Sequence, residues 1–359
     1  MKKLSLLCII WLTILSADDY GFNMDDIEVT PYEYSGYIKG EMKNLKTVKD
    51  TTFNSYLGEV QLKFKYTKDA FSLNSEFKGD YAYVDDSDDT KLTVNQLFVN
   101  YKADHNNNVA IGKKSLKWGK GYFFNPVAFL DRKKNPDDPE ASKEGFIMAN
   151  YKYNKSYVGD LKNFSLDVIY LPTSDDINED YSTDETSNIA LKAYFLYLDT
   201  DIDFIYLFSN KDKDKVGVDF SKNIQTNFEI HGEFAYEIDG YHSYLLGLKY
   251  LTSSELTITS EYMYQSEKLS IKVPFYDKQY LVNRFSQKEP IDILYLSIYY
   301  KNMLNLEDYS YKNTFGILYN FRNNLNLDVS YNKNDGKHDS EFGRKFVSDN
   351  FWTKVVYYF

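Results

Sequence analysis

The chain ends on FWTKVVYYF, residues 351–359. Its apolar and aromatic residues occupy alternate positions, so one side of an extended segment would carry three aromatic rings at Phe351, Tyr357 and Phe359. Alternation with a period of two is the pattern of a β-strand. Most soluble domains finish in a frayed polar segment. This stretch therefore predicts a terminal strand and raises the question of what its apolar side faces.

The same alternation recurs from about residue 32 onwards. In YLGEVQLKFKY, residues 56–66, Val60, Leu62 and Phe64 alternate with Gln61 and Lys63. The composition agrees, because 18% of the residues are aromatic and 26% are charged while the mean hydropathy is −0.53. Apolar and polar residues must therefore be interleaved at short range, which indicates strands throughout the chain.

The order of residues within the strands favours a transmembrane β-barrel over a soluble β-sandwich. Aromatic residues stand at the ends of the apolar faces and aliphatic residues in the middle, as in interfacial girdles around a hydrocarbon band. Most segments reach the roughly 9–11 residues that a spanning strand needs. Long strands with aromatic edges would also aggregate in water unless they closed into a barrel. A sandwich remains the alternative, because its strands alternate as well.

Seventeen strands can be counted directly, whereas bacterial single-chain barrels have an even number. The segment KQYLVNRFSQ, residues 278–287, is the best candidate for the missing strand, so the sequence predicts eighteen strands, with sixteen as the second choice. The other predicted strands lie near 32–42, 54–66, 70–83, 91–102, 108–117, 146–153, 162–171, 188–198, 201–209, 215–222, 226–237, 242–251, 255–266, 291–303, 310–320, 324–334 and 347–359. With both termini periplasmic, the long connections fall outside the cell, as is usual for these barrels; they are 118–145, 172–187, 267–277 and 335–346.

The N-terminal segment differs from the rest. MKKLSLLCIIWLTILSA, residues 1–17, has a basic start, an apolar run and a small residue before Asp18, which is the pattern of a cleavable signal peptide. The apolar run is too short for a membrane-spanning helix. Residues 18–31 are then expected to form a short periplasmic segment before a barrel of residues 32–359.

Charge and cysteine content exclude some classes of function. The formal net charge is −11 and becomes −13 once Lys2 and Lys3 leave with the signal peptide. An acidic chain is a poor partner for nucleic acid, which needs a basic face. The chain's one cysteine, Cys8, lies in the same segment. The mature protein is therefore expected to have no internal disulfide and no metal bound through thiolates. No cofactor and no defined metal site are expected either.

Three short stretches resemble known outer-membrane proteins. WGKG at 118–121 with NP at 125–126, and SEFG at 340–343, are similar to segments of a group of porin-like Gram-negative outer-membrane β-barrels. The terminal strand resembles the signal that the barrel-assembly machinery recognises, which here comprises Phe351, Val355, Tyr357 and Phe359. The resemblance implies a barrel in the outer membrane. Its expected partners are outer-membrane lipid and lipopolysaccharide, the assembly machinery and small solutes or ions, and homo-oligomerisation is left open.

Three other features suggest chemistry but have simpler explanations. The segment GKKS at 112–115 lacks the following helix that a phosphate-binding loop needs. Acidic tracts at 85–89 and 175–185 offer carboxylates to divalent cations, yet their spacing matches no defined site and fits solvated loops. His231 stands between two glutamates on one face of its strand. This trio suggests either acid–base chemistry or a hydrated pore wall.

These observations rank three functions for the barrel. A porin or substrate channel comes first, a non-conducting barrel in export or envelope assembly second, and an outer-membrane hydrolase third, so an enzyme is not expected. If the apolar faces point to lipid, the pore wall comprises Lys63, Lys65, Lys78, Asp167, Lys192, Asp203, Asp219, Glu229, His231, Glu233, Glu261 and Asp292, with Lys249 and Asp328 beside them. Its acidic excess predicts a mild preference for cations.

The longest connection, residues 118–145, is predicted to fold into the barrel mouth and narrow it. Long loops without secondary structure are usually functional or disordered, and this one keeps aromatic residues that need an apolar surface to cover. The expected constriction residues are Trp118, Phe124, Asp131, Arg132, Lys133, Lys134, Asp137 and Asp138. A rigid cap on the extracellular rim is the alternative.

Overall fold

The alternating segments form eighteen antiparallel strands in a computed structural model, which describes residues 30–182, 184–266, 279–321 and 324–359. The strands are β1 (Tyr32–Thr47), β2 (Thr52–Lys68), β3 (Phe71–Val84), β4 (Ser87–Lys102), β5 (Asn107–Lys114), β6 (Phe146–Ser156), β7 (Leu161–Thr173), β8 (Thr186–Tyr197), β9 (Thr200–Ser209), β10 (Lys215–Gln225), β11 (Phe228–Glu237), β12 (His242–Leu251), β13 (Leu256–Gln265), β14 (Gln279–Lys288), β15 (Leu296–Asn305), β16 (Tyr311–Phe321), β17 (Leu325–Asp335) and β18 (Val347–Tyr358). The predicted count of eighteen is confirmed. The predicted signal peptide 1–17, residues 18–29 of the predicted periplasmic segment 18–31, and the loop 267–277 lie outside the described residues.

Every strand pairs with its neighbours in the sequence, and β1 also pairs with β18, so the sheet closes on itself. The closing ladder begins with Tyr37 opposite Tyr358 and continues to Lys46 opposite Asp349. Phe359 extends this pairing, because it exchanges both backbone hydrogen bonds with Gly36 at 2.9 and 3.1 Å. Closure leaves no unpaired strand edge, which a barrel in lipid requires. Across the described ranges, no helix has the length and apolar character needed to cross a membrane.

The distribution of burial is inverted relative to a soluble protein. On β2, Val60 and Leu62 are 42% and 50% exposed on the outer surface, whereas Glu59 and Gln61 on the inner face are 6% and 2% exposed. Other strands repeat this arrangement, with exposed aromatic and aliphatic side chains outside and buried polar side chains inside. Such a continuous apolar surface is stable against hydrocarbon rather than water.

The main departure from the predicted strands occurs before β15. The strand was expected from residue 291 but begins at Leu296, because Pro290 opens a short 3₁₀ turn, Pro290–Asp292. Proline cannot donate to a β-ladder, and Ile291 and Asp292 have positive φ angles of 58° and 57°. The prediction that Asp292 lines the pore is therefore wrong, since this residue lies exposed in a turn between β14 and β15.

Candidate functional site

The connection between β5 and β6 lies inside the barrel rather than on its rim. Its Ser142 donates a hydrogen bond to Glu76 on the inner face of β3. Its Asp137 accepts a hydrogen bond from Lys312 on β16, at 2.7 Å. The same segment is also bound by Glu233 on β11, which lies almost opposite β3 in the closed ring of strands, so the segment crosses the lumen. We call residues 115–145 the lumen loop.

Two buried carboxylates hold the backbone of the lumen loop. Glu233 on β11 accepts hydrogen bonds from the N–H groups of Lys120, Gly121 and Val127, at 2.7, 2.6 and 3.2 Å. Glu261 on β13 accepts from the two N–H groups of residues 122–123. The two glutamates are 3% and 0% exposed. Buried N–H groups outside a sheet need such partners, because an unpaired one is costly.

His231 belongs to the same attachment. The side chain is 1% exposed, and its Nε2 lies 3.0 Å from Glu261 Oε1. Its Nδ1 lies 3.4 Å from Glu229 Oε1, and Glu229 also accepts a hydrogen bond from the Tyr122 hydroxyl at 3.0 Å. Of the sequence trio, Glu229 and His231 thus contact each other, while Glu233 binds the loop backbone. These side chains therefore position the lumen loop.

Apolar side chains of the lumen loop form a core with the inner barrel wall. Trp118, Val127 and Leu130 are 4%, 0% and 0% exposed and pack with Ile169 of β7 and Leu207 of β9. Strand alternation alone did not predict these two wall positions, although the sequence carries a signal for them. In β7 and β9 apolar residues occupy both faces near one end of the strand, and apolar residues on both faces indicate burial on both sides.

An acidic pair holds a lysine of the lumen loop. Lys120 Nζ lies 3.1 Å from Asp203 on β9 and 3.8 Å from Asp219 on β10. Lys192 on β8 lies 3.1 Å from Asp203 as well. Burial alone would lower the pKa of Lys120, but the two carboxylates outweigh it and hold the pKa above its ordinary value. Both aspartates are 0% exposed, so the loop covers them.

The charged half of the lumen loop is held by its own polar groups and by a neighbouring loop. Asp131 accepts hydrogen bonds from the Lys117 N–H at 2.8 Å and the Ser115 hydroxyl at 3.2 Å. Arg132 donates to Asp180 of the loop between β7 and β8. Lys134 donates its backbone N–H to the Asn125 side chain at 2.8 Å. Lys133 is exposed. The segment therefore has a defined shape without secondary structure.

The tip of the lumen loop reaches the opposite wall. Lys301 on β15 donates a hydrogen bond to the Pro136 carbonyl at 2.8 Å and lies 3.6 Å from Asp137. Burial alone would raise the pKa of Asp137, but Lys312 and Lys301 outweigh it and hold the pKa below its ordinary value. Asp138 lies 4.0 Å from Lys354 on β18.

One further aromatic contact secures the loop. The Phe124 ring stacks on the Tyr280 ring of β14, with 5.9 Å between the ring centroids. The expectation that the loop's aromatic rings lie against the inner wall therefore agrees with the structure at Trp118 and Phe124.

The remaining sequence-predicted wall residues lie in ion pairs, most of them between neighbouring strands. These pairs are Lys63 with Glu76 at 3.7 Å, Lys65 with Glu33 at 2.8 Å, Lys78 with Glu59 at 3.5 Å and with Asp80 at 3.1 Å, and Asp167 with Lys152 at 3.6 Å. The charged residues of the wall beside the closing ladder were not among the predicted pore-lining residues. There Lys39 lies 3.0 Å from Glu41 and 3.1 Å from Glu59, and Trp352 donates its indole N–H to Glu41 at 3.1 Å.

Two cavities flank the lumen loop inside the barrel. One has a volume of about 600 Å³ and lies between loop residues 134–143 and the wall formed by β1–β4 and β18. The other has a volume of about 370 Å³ and lies between the loop and the wall of β13–β18. Within the described ranges, no group of three or more histidine, cysteine or acidic side chains is arranged to hold a metal ion. Charged and polar side chains of the lumen loop and of the wall line both cavities.

The sequence matches no protein-family model and no curated protein. Solved structures do match. OccK5 (OpdH) of Pseudomonas aeruginosa aligns with a TM-score of 0.59 at 12% identity, covering 91% of this chain and 97% of that one. OccAB4 of Acinetobacter baumannii gives 0.58 at 12% identity, covering 92% and 98%. The outer membrane protein OprD of Pseudomonas aeruginosa gives 0.57 at 9% identity, covering 92% and 94%. The chain therefore shares the barrel fold of these proteins, and at such identities the likeness shows the fold alone.

Proposed function

We propose that this protein is an outer-membrane channel through which small polar solutes or ions diffuse passively. The observation that carries the proposal is the pair of cavities with charged linings beside the lumen loop, inside a closed barrel whose outer surface is apolar. An apolar outer belt suits lipid, and a polar lumen suits water. The assembly machinery, lipopolysaccharide and a second copy of the chain are proposed partners on the strength of the sequence.

The cavities also bear on the ion preference. The acidic wall residues that suggested cation preference include Asp203, Asp219, Glu233 and Glu261, and the lumen loop covers all four. The open space is instead lined by eight basic residues, Lys39, Lys63, Lys117, Lys134, Lys143, Arg284, Lys301 and Lys354, and five acidic residues, Glu76, Asp137, Asp138, Glu140 and Asp328. We therefore propose a mild preference for anions, because the charges that line a passage set the local ion concentration.

Planar bilayers containing the purified, folded protein test both statements. We expect discrete conductance steps, and in a salt gradient a reversal potential of the sign that anion permeability gives. The preference should shrink as the salt concentration rises, because salt screens the lining charges. Silent bilayers would refute the channel, whereas steps with clear cation selectivity would refute the ion preference alone.

The two other functions suggested by the sequence find less support. A hydrolase built on His231 would need this group to reach substrate, yet its ring is 1% exposed and lies between Glu229, Glu261 and the Tyr122 ring. A non-conducting barrel would not need charged cavities on both sides of a loop. Neither function is favoured by a specific contact.

A further inference from the structure

The two cavities meet at the tip of the lumen loop. Both are lined by residues 138–140 of the loop and by Lys354, Val356 and Tyr358 of β18. A contact between these two shared groups therefore lies on the boundary between the cavities. That contact is the pair formed by Asp138 and Lys354, whose charged atoms are 4.0 Å apart.

The residues on either side of Asp138 are attached more firmly. Asp137 accepts a hydrogen bond from Lys312 at 2.7 Å, and Ser142 donates one to Glu76. The loop tip is thus fixed to β16 on one side and to β3 on the other, and Asp138 lies between the two attachments. Breaking the Asp138–Lys354 contact would leave both attachments in place.

The Asp138–Lys354 pair itself is weak. Its separation exceeds the length of a charge-assisted hydrogen bond, and the two side chains are 28% and 21% exposed. Exposed ion pairs of this kind gain little from their attraction. Lys354 also has another acidic neighbour, because Asp328 stands opposite it in the register of β17 and β18. Lys354 can therefore move away from Asp138 and still lie beside a carboxylate, that of Asp328.

We infer that Asp138 and Lys354 form a gate between the two cavities. The inference rests on the proposed channel function and names the residues that limit it. In the closed arrangement the pair bridges the loop and β18 and divides the space. In the open arrangement Lys354 turns towards Asp328, and the two cavities join into one wider passage. The gate therefore sets the largest solute that crosses and the frequency with which the channel opens.

Substitutions at the gate test this inference in folded protein. Asp138→Ala and Lys354→Ala should each raise the single-channel conductance and admit larger uncharged sugars into liposomes. The exchanged pair Asp138→Lys with Lys354→Asp should bring both values back towards those of the unaltered protein. Lys333→Ala is the matched control, since this lysine on β17 is exposed and lies 3.6 Å from Asp335. It should leave conductance and the sugar size limit unchanged.

The outcomes separate the two levels of the proposal. No conductance in the unaltered protein would refute the channel function. A conducting protein in which both alanine variants keep the original conductance and sugar size limit would refute the gate and leave the channel standing.

A crosslink supplies an independent measurement. The sequence contains one cysteine, Cys8, which lies in the predicted signal peptide. Once that segment is removed, a variant with Asp138→Cys and Lys354→Cys would carry its two thiols at the gate. Joining them with a short, reducible thiol linker should lower the conductance, and a reductant should restore it. If mass spectrometry shows the linker in place and the conductance does not fall, the gate is refuted.

Discussion

Glu233 and Glu261 give the lumen loop the hydrogen-bond acceptors that a sheet or helix would otherwise supply. The loop can approach them closely because of two glycines in the WGKG motif. A Cβ atom at Gly121 would lie 2.3 Å from the Phe124 carbonyl oxygen, and one at Gly119 would lie 2.8 Å from the Glu233 carboxylate. Gly119 also has a φ of +98°, a conformation that favours glycine. The two glycines of the WGKG motif, which suggested an outer-membrane family, are thus explained by this close approach of the loop to Glu233.

Replacing Glu233 should release the first half of the lumen loop. Glu233→Ala leaves the N–H groups of Lys120, Gly121 and Val127 without their acceptor, and each orphaned buried donor costs roughly 1–3 kcal/mol. We expect higher and noisier single-channel conductance with the barrel still folded. Glu179→Ala, in the exposed loop between β7 and β8, is the control. Conductance identical to that of the control would contradict the attachment.

Asp137 makes the loop tip sensitive to acid but not to mild changes in pH. Its pKa is held below the ordinary value of about 3.9. A group with a depressed pKa stabilises the folded arrangement at neutral pH and loses that contribution as the pH falls through the depressed value. The difference in conductance noise between the unaltered protein and Asp137→Asn should therefore stay constant from about pH 8 to pH 5 and disappear in strong acid below about pH 4. A difference that changes near neutrality would contradict this reasoning.

At the level of the strand, the sequence predicted most of the fold because period-two alternation reports directly on which face meets lipid. Prediction failed where local chemistry interrupts the period. Pro290 ends the ladder before β15, so Asp292 leaves the wall. Strand β5 was expected to continue to residue 117 but ends at Lys114. Gly112, just before this end, has a φ of +132°.

The candidate site could be predicted only in part. The aromatic and charged residues of the lumen loop stand out in the sequence, because they are unusual in a connection. Their partners Glu233, Glu261 and Lys301 are contributed by strands more than a hundred residues away. Strand alternation places such residues on the inner face but does not say which of them meets the loop, because that depends on how the barrel curves and closes.

Two glycines of β1, Gly36 and Gly40, differ in the space around them, and this difference predicts different effects on stability. A Cβ atom at Gly36 would lie 2.2 Å from the Gln61 carbonyl oxygen and 2.8 Å from the Phe359 ring, whereas nothing lies within 4 Å of one at Gly40. Gly36→Ala should therefore disturb the pairing of β1 with β2 and with Phe359. We expect it to unfold at a lower temperature in the gel-shift assay for folded barrels, while Gly40→Ala keeps the original temperature. Equal temperatures for the two variants would contradict the close approach at Gly36.

Across the whole molecule, the two sides of the lumen serve different purposes. The wall of β9–β13 places its acidic groups beneath the lumen loop, where backbone N–H groups and Lys120 neutralise them. The wall of β1–β4 and β14–β18 faces the cavities and carries four of the seven lysines that line them. We therefore expect the net charge of the sequence to be a poor guide to the selectivity of the proposed channel, because burial removes one set of charges from the path of a solute.

Removing part of the lumen loop should expose that acidic wall. In a variant lacking residues 127–140, the Glu233 contact with Val127 is lost, and the segment that packs Leu130 against the wall is gone. The passage widens, so the conductance should rise. Lys120 and Gly121 keep their contacts with Asp203, Asp219 and Glu233, but these carboxylates lose the cover of the deleted segment. The reversal potential should therefore shift towards cation preference. Unchanged conductance in a folded deletion variant would show that the loop does not limit the passage. A higher conductance with stronger anion preference would show instead that the acidic wall stays neutralised without the loop.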